Sequence, residues 1–251
     1  VKMDARFKQH LMTLWEKYFP GAQLPICFYY TDELRWGKRA GESAEAQCVI
    51  CDLARVRDGK TLVLDAQSTR CGGGQRYLGF VQELRPNFEY FLSCGIPGKL
   101  EGERYKKTPA LVMEQLKNQP ALQAPGKYIV FRRWDMLEVD EEPLVATFFA
   151  GPDVLSGLFT LANFDSSSMD NVIAPFGAGC STIVYYPLVE ARSGHPRAVL
   201  GTFDVSARPC VSADELTFSV PIARLVEMAA NMDESFLITR SWNKVRDRIK
   251  G

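Results

Sequence analysis

Seven cysteines are the residues of this chain best equipped for chemistry: Cys27, Cys48, Cys51, Cys71, Cys94, Cys180 and Cys210. A thiolate is a nucleophile, a redox partner and a soft metal ligand. An odd number of them, spread over 251 residues, reads as reduced thiols rather than a disulfide framework. The two histidines, His10 and His195, are too few for an imidazole cluster or a His-rich zinc site.

The surroundings of the cysteines divide them. Cys48-Val-Ile-Cys51 has redox-pair spacing, but a catalytic pair of this kind sits at a helix start, and this one is expected inside a helix as two buried thiols. Cys71 is followed by Gly72, Gly73 and Gly74, and Cys180 is preceded by Gly177-Ala-Gly179. Glycines allow close backbone approach and can turn several N–H groups toward one anion, so Gly72, Gly73, Gly74 and Gly179 are candidate cofactor-binding positions. Taken singly, each glycine run is more simply a tight turn.

An internal echo joins these motifs. Cys48, Ala54-Arg55, Gly59, the apolar run 61–64, Asp65, Ser68 and Cys71 follow one order; Cys180, Ala191-Arg192, Gly194, the run 198–203, Asp204, Ser206 and Cys210 follow the same order. Aspartate and final cysteine are six residues apart in both. Two related halves packed about a pseudo-twofold axis would bring Cys48, Cys71, Cys180 and Cys210 to one centre, as ligands of zinc or an iron–sulfur cluster. Tetrahedral zinc with Zn–S of about 2.3 Å needs sulfurs about 3.8 Å apart. Without metal, or after oxidation, neighbouring thiols or a disulfide are expected at that place.

Other chemistries lack their motifs. The phosphate-binding Gly-x-x-x-x-Gly-Lys-Ser/Thr, the Gly-x-Ser-x-Gly elbow and His-Glu-x-x-His are all missing. Glu138, Asp140, Glu141 and Glu142 read as a solvated turn before a strand, and Arg240, Lys244, Arg246, Arg248 and Lys250 as a solvated basic helix face. With 30 basic and 30 acidic residues, no net field draws the chain to nucleic acid or anionic lipid. No apolar run reaches membrane-spanning length, and the opening residues show no secretory h-region, so a cytoplasmic protein is expected.

The elements that must position the cysteines alternate in type. Helical spacing runs over 4–19, 43–57, 75–84, 109–119, 152–163, 222–231 and 236–249, and strand patterns over 24–30, 61–65, 128–134, 144–150, 199–204 and 216–220. Such alternation predicts an α/β or α+β fold of layered helices and mixed sheet. Pro120 to Gly126 is the candidate division between halves 1–120 and 121–251, which could equally form one unit.

The chain resembles the uncharacterised "domain of unknown function" family numbered 169, also called ArCR, from about residue 24 to residue 228. The residues that carry the resemblance are Cys48 with Ala54 and Gly59, and Cys71-Gly72-Gly73 with Leu78-Gly79-Phe80; then Cys180, Arg208, Asp214-Glu215-Leu216 and Pro221. The resemblance implies no activity. Cys48, Cys71 and Cys180 fall on its pattern and Cys51 and Cys210 have no assigned place in it, so Asp204, Cys94 or an outside ligand could replace Cys210. Two functions are therefore expected in competition. One is a soft-metal or iron–sulfur protein with its site between two halves. The other is a metal-free small-molecule binding protein or enzyme with a glycine-rich pocket and merely structural cysteines.

Overall fold

A computed structural model describes residues 5–35 and 48–249. Its seven strands are β1 (Ile26–Thr31), β2 (Leu62–Leu64), β3 (Tyr128–Arg133), β4 (Val145–Ala150), β5 (Val172–Ile173), β6 (Ala198–Gly201) and β7 (Leu216–Pro221). They form one sheet in the order β2-β3-β1-β4-β7-β6-β5, antiparallel except for the β5–β6 pair. Outward from the central β1–β4 pair, β3 and then β2 lie on one side, with β7 and then β6 on the other. Apart from the edge strand β5, the order is thus palindromic if β1, β2 and β3 are matched with β4, β6 and β7. Strand β3 lies beyond residue 120 but sits between β2 and β1, so pairing groups it with the N-terminal strands.

The two-residue alternation of the central strands sorts side chains into two cores. Cys27, Ala146, Phe148 and Ala150 face one side. There they meet α1 (Ala5–Tyr18), α6 (Pro152–Ala162), α8 (Ile222–Asn231) and α9 (Arg240–Ile249). Ile26, Phe28, Val145 and Phe149 face the other, against α2 (Val49–Arg57), α3 (Gly72–Tyr77) and the helical run of a π-turn Ser181–Tyr185 with α7 (Tyr186–Glu190). Two short helices, α4 (Phe88–Phe91) and α5 (Pro109–Lys117), lie in the excursion between β2 and β3. The layered α/β expectation holds, with helices on both faces of a mixed sheet.

Local boundaries differ where special chemistry intervenes. The expected helix 43–57 is helical from Val49; residues 43–47 lie outside the described residues. The expected helix 75–84 starts earlier, at Gly72, because Cys71 caps it, its sulfur accepting from the Gly74 amide at 3.4 Å. It ends by Gly79, whose φ of +82° and close approach to the Ala124 backbone exclude a side chain. The Glu138–Glu142 turn is only partly solvated. Glu141 is 3% exposed, and both its oxygens accept from Nη1 of buried Arg132, at 2.9 and 2.8 Å. The Glu138 amide and the Tyr29 hydroxyl also donate to it, so this carboxylate is an internal anchor.

Candidate functional site

The loops bearing Cys48, Cys71 and Cys180 open onto the face of the sheet that carries α2, α3 and α7. Cys48 is the N-cap of α2, Cys71 the N-cap of α3, and Cys180 precedes the π-turn. In chain order they follow β1, β2 and β5, so the sheet topology brings the Cys180 loop to the Cys71 loop although more than 100 residues separate them. Gly73 marks the meeting point of two of them: a Cβ placed there would lie 3.9 Å from the Cys71 sulfur and 4.0 Å from that of Cys180.

The Cys48 sulfur and the Asp204 carboxylate are near enough to act on them electrostatically. Burial pushes the Cys180 thiol well above its ordinary value, and the neighbouring Cys71, Cys48 and Asp204 push it further. Burial also raises Cys48, with Cys71 and Asp204 adding to the effect, while the amide groups of Ile50 and Cys51 oppose it. Each group disfavours negative charge on the next, because little solvent reaches the cluster to screen it. Asp204 is held in place: its Oδ2 accepts from the Gly179 amide at 3.1 Å, and its Oδ1 from the amide and hydroxyl of Ser206. Asp65, its counterpart in the echo, accepts in the same way from the amide and hydroxyl of Ser68.

Cys210 departs from the four-thiol expectation. It lies in the 3-10 turn Arg208–Cys210 and is joined to Cys51 by a disulfide spanning 159 residues. This bond ties α2 to the loop before β7, and it corrects the expectation that all seven cysteines are reduced. Cys48 and Cys51 also stand at the first turn of α2, not in its interior as the helix expected from residue 43 implied. That is the placement of a redox pair. The raised Cys48 thiol nevertheless makes it a poor nucleophile toward the adjacent disulfide at neutral pH. Cys94 is exposed, with its sulfur on the Gly95 carbonyl, and Cys27 is buried on the opposite face of the sheet.

The candidate glycines do different things. Gly73 faces the two sulfurs, whereas a Cβ on Gly72 would press on the Arg85 guanidinium at 2.9 Å. Gly74 and Gly179 serve packing: their added Cβ atoms would meet Val49 at 2.8 Å and Ile50 at 2.9 Å, so both let α2 close over the cluster. Arg57 was not singled out by the sequence, yet it spans this region, pairing with Glu215 at 2.7 Å and stacking on Phe149. The signal available for it was Glu215, one of the residues carrying the family resemblance.

Chemically, the site offers three soft donors and a fixed carboxylate, partly shielded from water. Among the described residues, no group of three or more His, Cys, Asp or Glu side chains already stands in coordinating positions. An ion would have to draw the sulfurs together and displace their protons. Searches of curated proteins and of solved structures give no match. A family model does match, over residues 22–231, which includes every cysteine just described. The chain belongs to domain-of-unknown-function family 169, the uncharacterised ArCR family.

Proposed function

We propose that the protein binds a soft metal centre, zinc or an iron–sulfur cluster, through Cys48, Cys71 and Cys180. Cys210 serves as fourth ligand once its bond to Cys51 is reduced. The observation that carries this reading is the meeting of Cys71 and Cys180, more than 100 residues apart, around Gly73, with Cys48 and Asp204 near enough to act on them electrostatically. Buried thiols that repel one another's charge are poor anions alone, and a divalent cation reverses that balance by compensating all of them together. The palindromic order of β1, β2 and β3 against β4, β6 and β7 supports two related halves, in which Cys71 follows β2 as Cys210 follows β6. A reducing compartment such as the cytoplasm suits thiol ligands of this kind.

The test is anaerobic purification followed by elemental analysis and a visible spectrum. Broad absorption near about 400 nm with bound iron indicates a cluster, and stoichiometric zinc in a colourless protein indicates a single ion. Cys71→Ser should lower metal content and stability together, since ligation is linked to folding. Cys27→Ser, on the other face of the sheet, should leave metal content unchanged. Protein that stays metal-free after reduction and anaerobic reconstitution with both iron and zinc refutes the reading.

A further inference from the structure

The thiol cluster has a vestibule. A cavity of about 360 Å³ is bounded at one end by Cys71-Gly72-Gly73. Leu84, Phe88 and Phe91 form much of its apolar wall, and Arg76 and Arg85 border it. The volume falls in the range of small-molecule sites, which combine an apolar lining with a few polar groups that orient the ligand.

Those polar groups are unusual in their pairing. Arg76 donates to the Gln82 carbonyl at 2.9 Å and Arg85 to the Arg70 carbonyl at 3.3 Å. Both contacts are to neutral backbone oxygens, and among the described residues neither guanidinium has a carboxylate partner. Arginines elsewhere on this surface do find one, as Arg133 does with Asp135 and Arg197 with Glu190. Glu83 also borders the cavity, but no ion pair ties it to either arginine. Two cationic forks beside an apolar wall fit a ligand that is apolar over most of its body and carries a carboxylate at one end. The absence of a side chain at Gly72 lets the Arg85 guanidinium lie against the backbone beside Cys71, which itself lines the cavity.

We infer that this cavity binds a small carboxylate with an apolar body, held by Arg76 and Arg85 and lying next to Cys71. The inference deepens the site reading, since such a ligand would rest beside the proposed centre, but its physical basis does not require a metal. The probe is 2-naphthoate, compared by calorimetry with uncharged 2-naphthamide, which has the same ring system. Naphthoate should bind at least about tenfold more tightly than the amide. Arg76→Gln and Arg85→Gln should each weaken naphthoate by about fivefold or more while leaving the amide unaffected. Leu84→Trp, which fills the cavity, should abolish binding of both.

Melting temperatures establish that each variant folds, and the two arginine variants are independent of one another. Metal content measured on the same samples separates the two ideas. Naphthoate binding to metal-free protein sustains the cavity proposal even if the metal reading fails. Equal affinity for acid and amide, indifference to both arginine changes, or no binding at about 1 mM ligand overturns the cavity proposal whatever the metal content.

Discussion

Placing a methyl group on Gly73 and on its neighbour Gly74 should have opposite consequences. At Gly73 an added Cβ meets only the two sulfurs, at 3.9 and 4.0 Å, which is ordinary contact distance. The residue lies inside α3, where alanine is favoured over glycine by about 0.5–1 kcal/mol through lower chain entropy. Gly73→Ala should therefore leave metal-free protein unchanged or raise its stability by up to about 1 kcal/mol. At Gly74 the added Cβ comes within 2.8 Å of the Val49 side chain and 3.1 Å of that of Thr69. Val49 opens α2 and is buried, so it cannot swing away, and overpacking of this kind costs about 1–3 kcal/mol. The assay is thermal unfolding of reduced, metal-free protein, in which 1 kcal/mol corresponds to about 2–4 °C at this chain length. Gly73→Ala should melt level with or above the parent, and Gly74→Ala clearly below it. Ligand loading then adds a second contrast. The methyl at Gly73 occupies room beside two sulfurs that a bulky cluster needs and a single zinc ion does not. Iron–sulfur reconstitution should fall in Gly73→Ala while zinc uptake persists. If both substitutions destabilise alike, the arrangement of Cys71 and Cys180 around Gly73 is not as described, and the reasoning fails.

Three further outcomes are expected. Glu141→Gln removes the charge facing buried Arg132 and should cost about 3–5 kcal/mol by urea titration, with much of the loss recovered when Arg132→Met is added. A loss below about 1 kcal/mol would mean the pair is not the anchor its burial implies. Burial, and then the charge of Glu141, hold the Cys27 thiol well above its ordinary value, so the fold keeps a proton there that the unfolded chain loses above about pH 8.5. This contribution is complete below that pH and is lost as pH rises toward the folded value. Stability should thus decline in the alkaline range, and less steeply in Cys27→Ala; identical slopes would count against it. Duplex DNA should bind weakly and dissociate at physiological salt, because the chain carries 30 charges of each sign. In the tail helix, moreover, Arg248 already pairs with Asp153 at 3.0 Å. A tight, salt-resistant complex in a filter-binding assay would contradict this.

Strong periodicity made most of the scaffold legible from the sequence. The helix expected over 222–231 is α8, residue for residue, and the strand expected over 144–150 is β4 bar its first residue. Both carry continuous patterns ended by proline or polar residues. The glycine run at 72–74 was not legible as helix, since three glycines oppose helical propensity and only the capping Cys71 and tertiary packing make up the difference. The approach of Cys71 to Cys180 agrees with the echo and the flanking glycines. The pairing of Cys51 with Cys210 was not legible, because a contact across 159 residues leaves no local pattern. Nor was the burial of Glu141, whose acidic neighbours suggest water; its partner Arg132 lies nine residues earlier, on a strand.

The order of the strands also determines when this site can exist. β1 pairs only with β3 and β4, both of which begin about a hundred residues or more further along the chain. During synthesis at about 5–20 residues per second, Cys48 therefore emerges some 10–30 s before Cys210. Until β4 emerges, about a hundred residues after Cys48, the sheet has no central pair, and Cys48 and Cys71 are borne on an incompletely paired chain. Their access to oxidants, to stray metal ions and to other nascent thiols is greatest then, and ends once β4 and β7 close the sheet. Which partner a cysteine meets is thus decided partly by the timetable of translation, before the final geometry has been built.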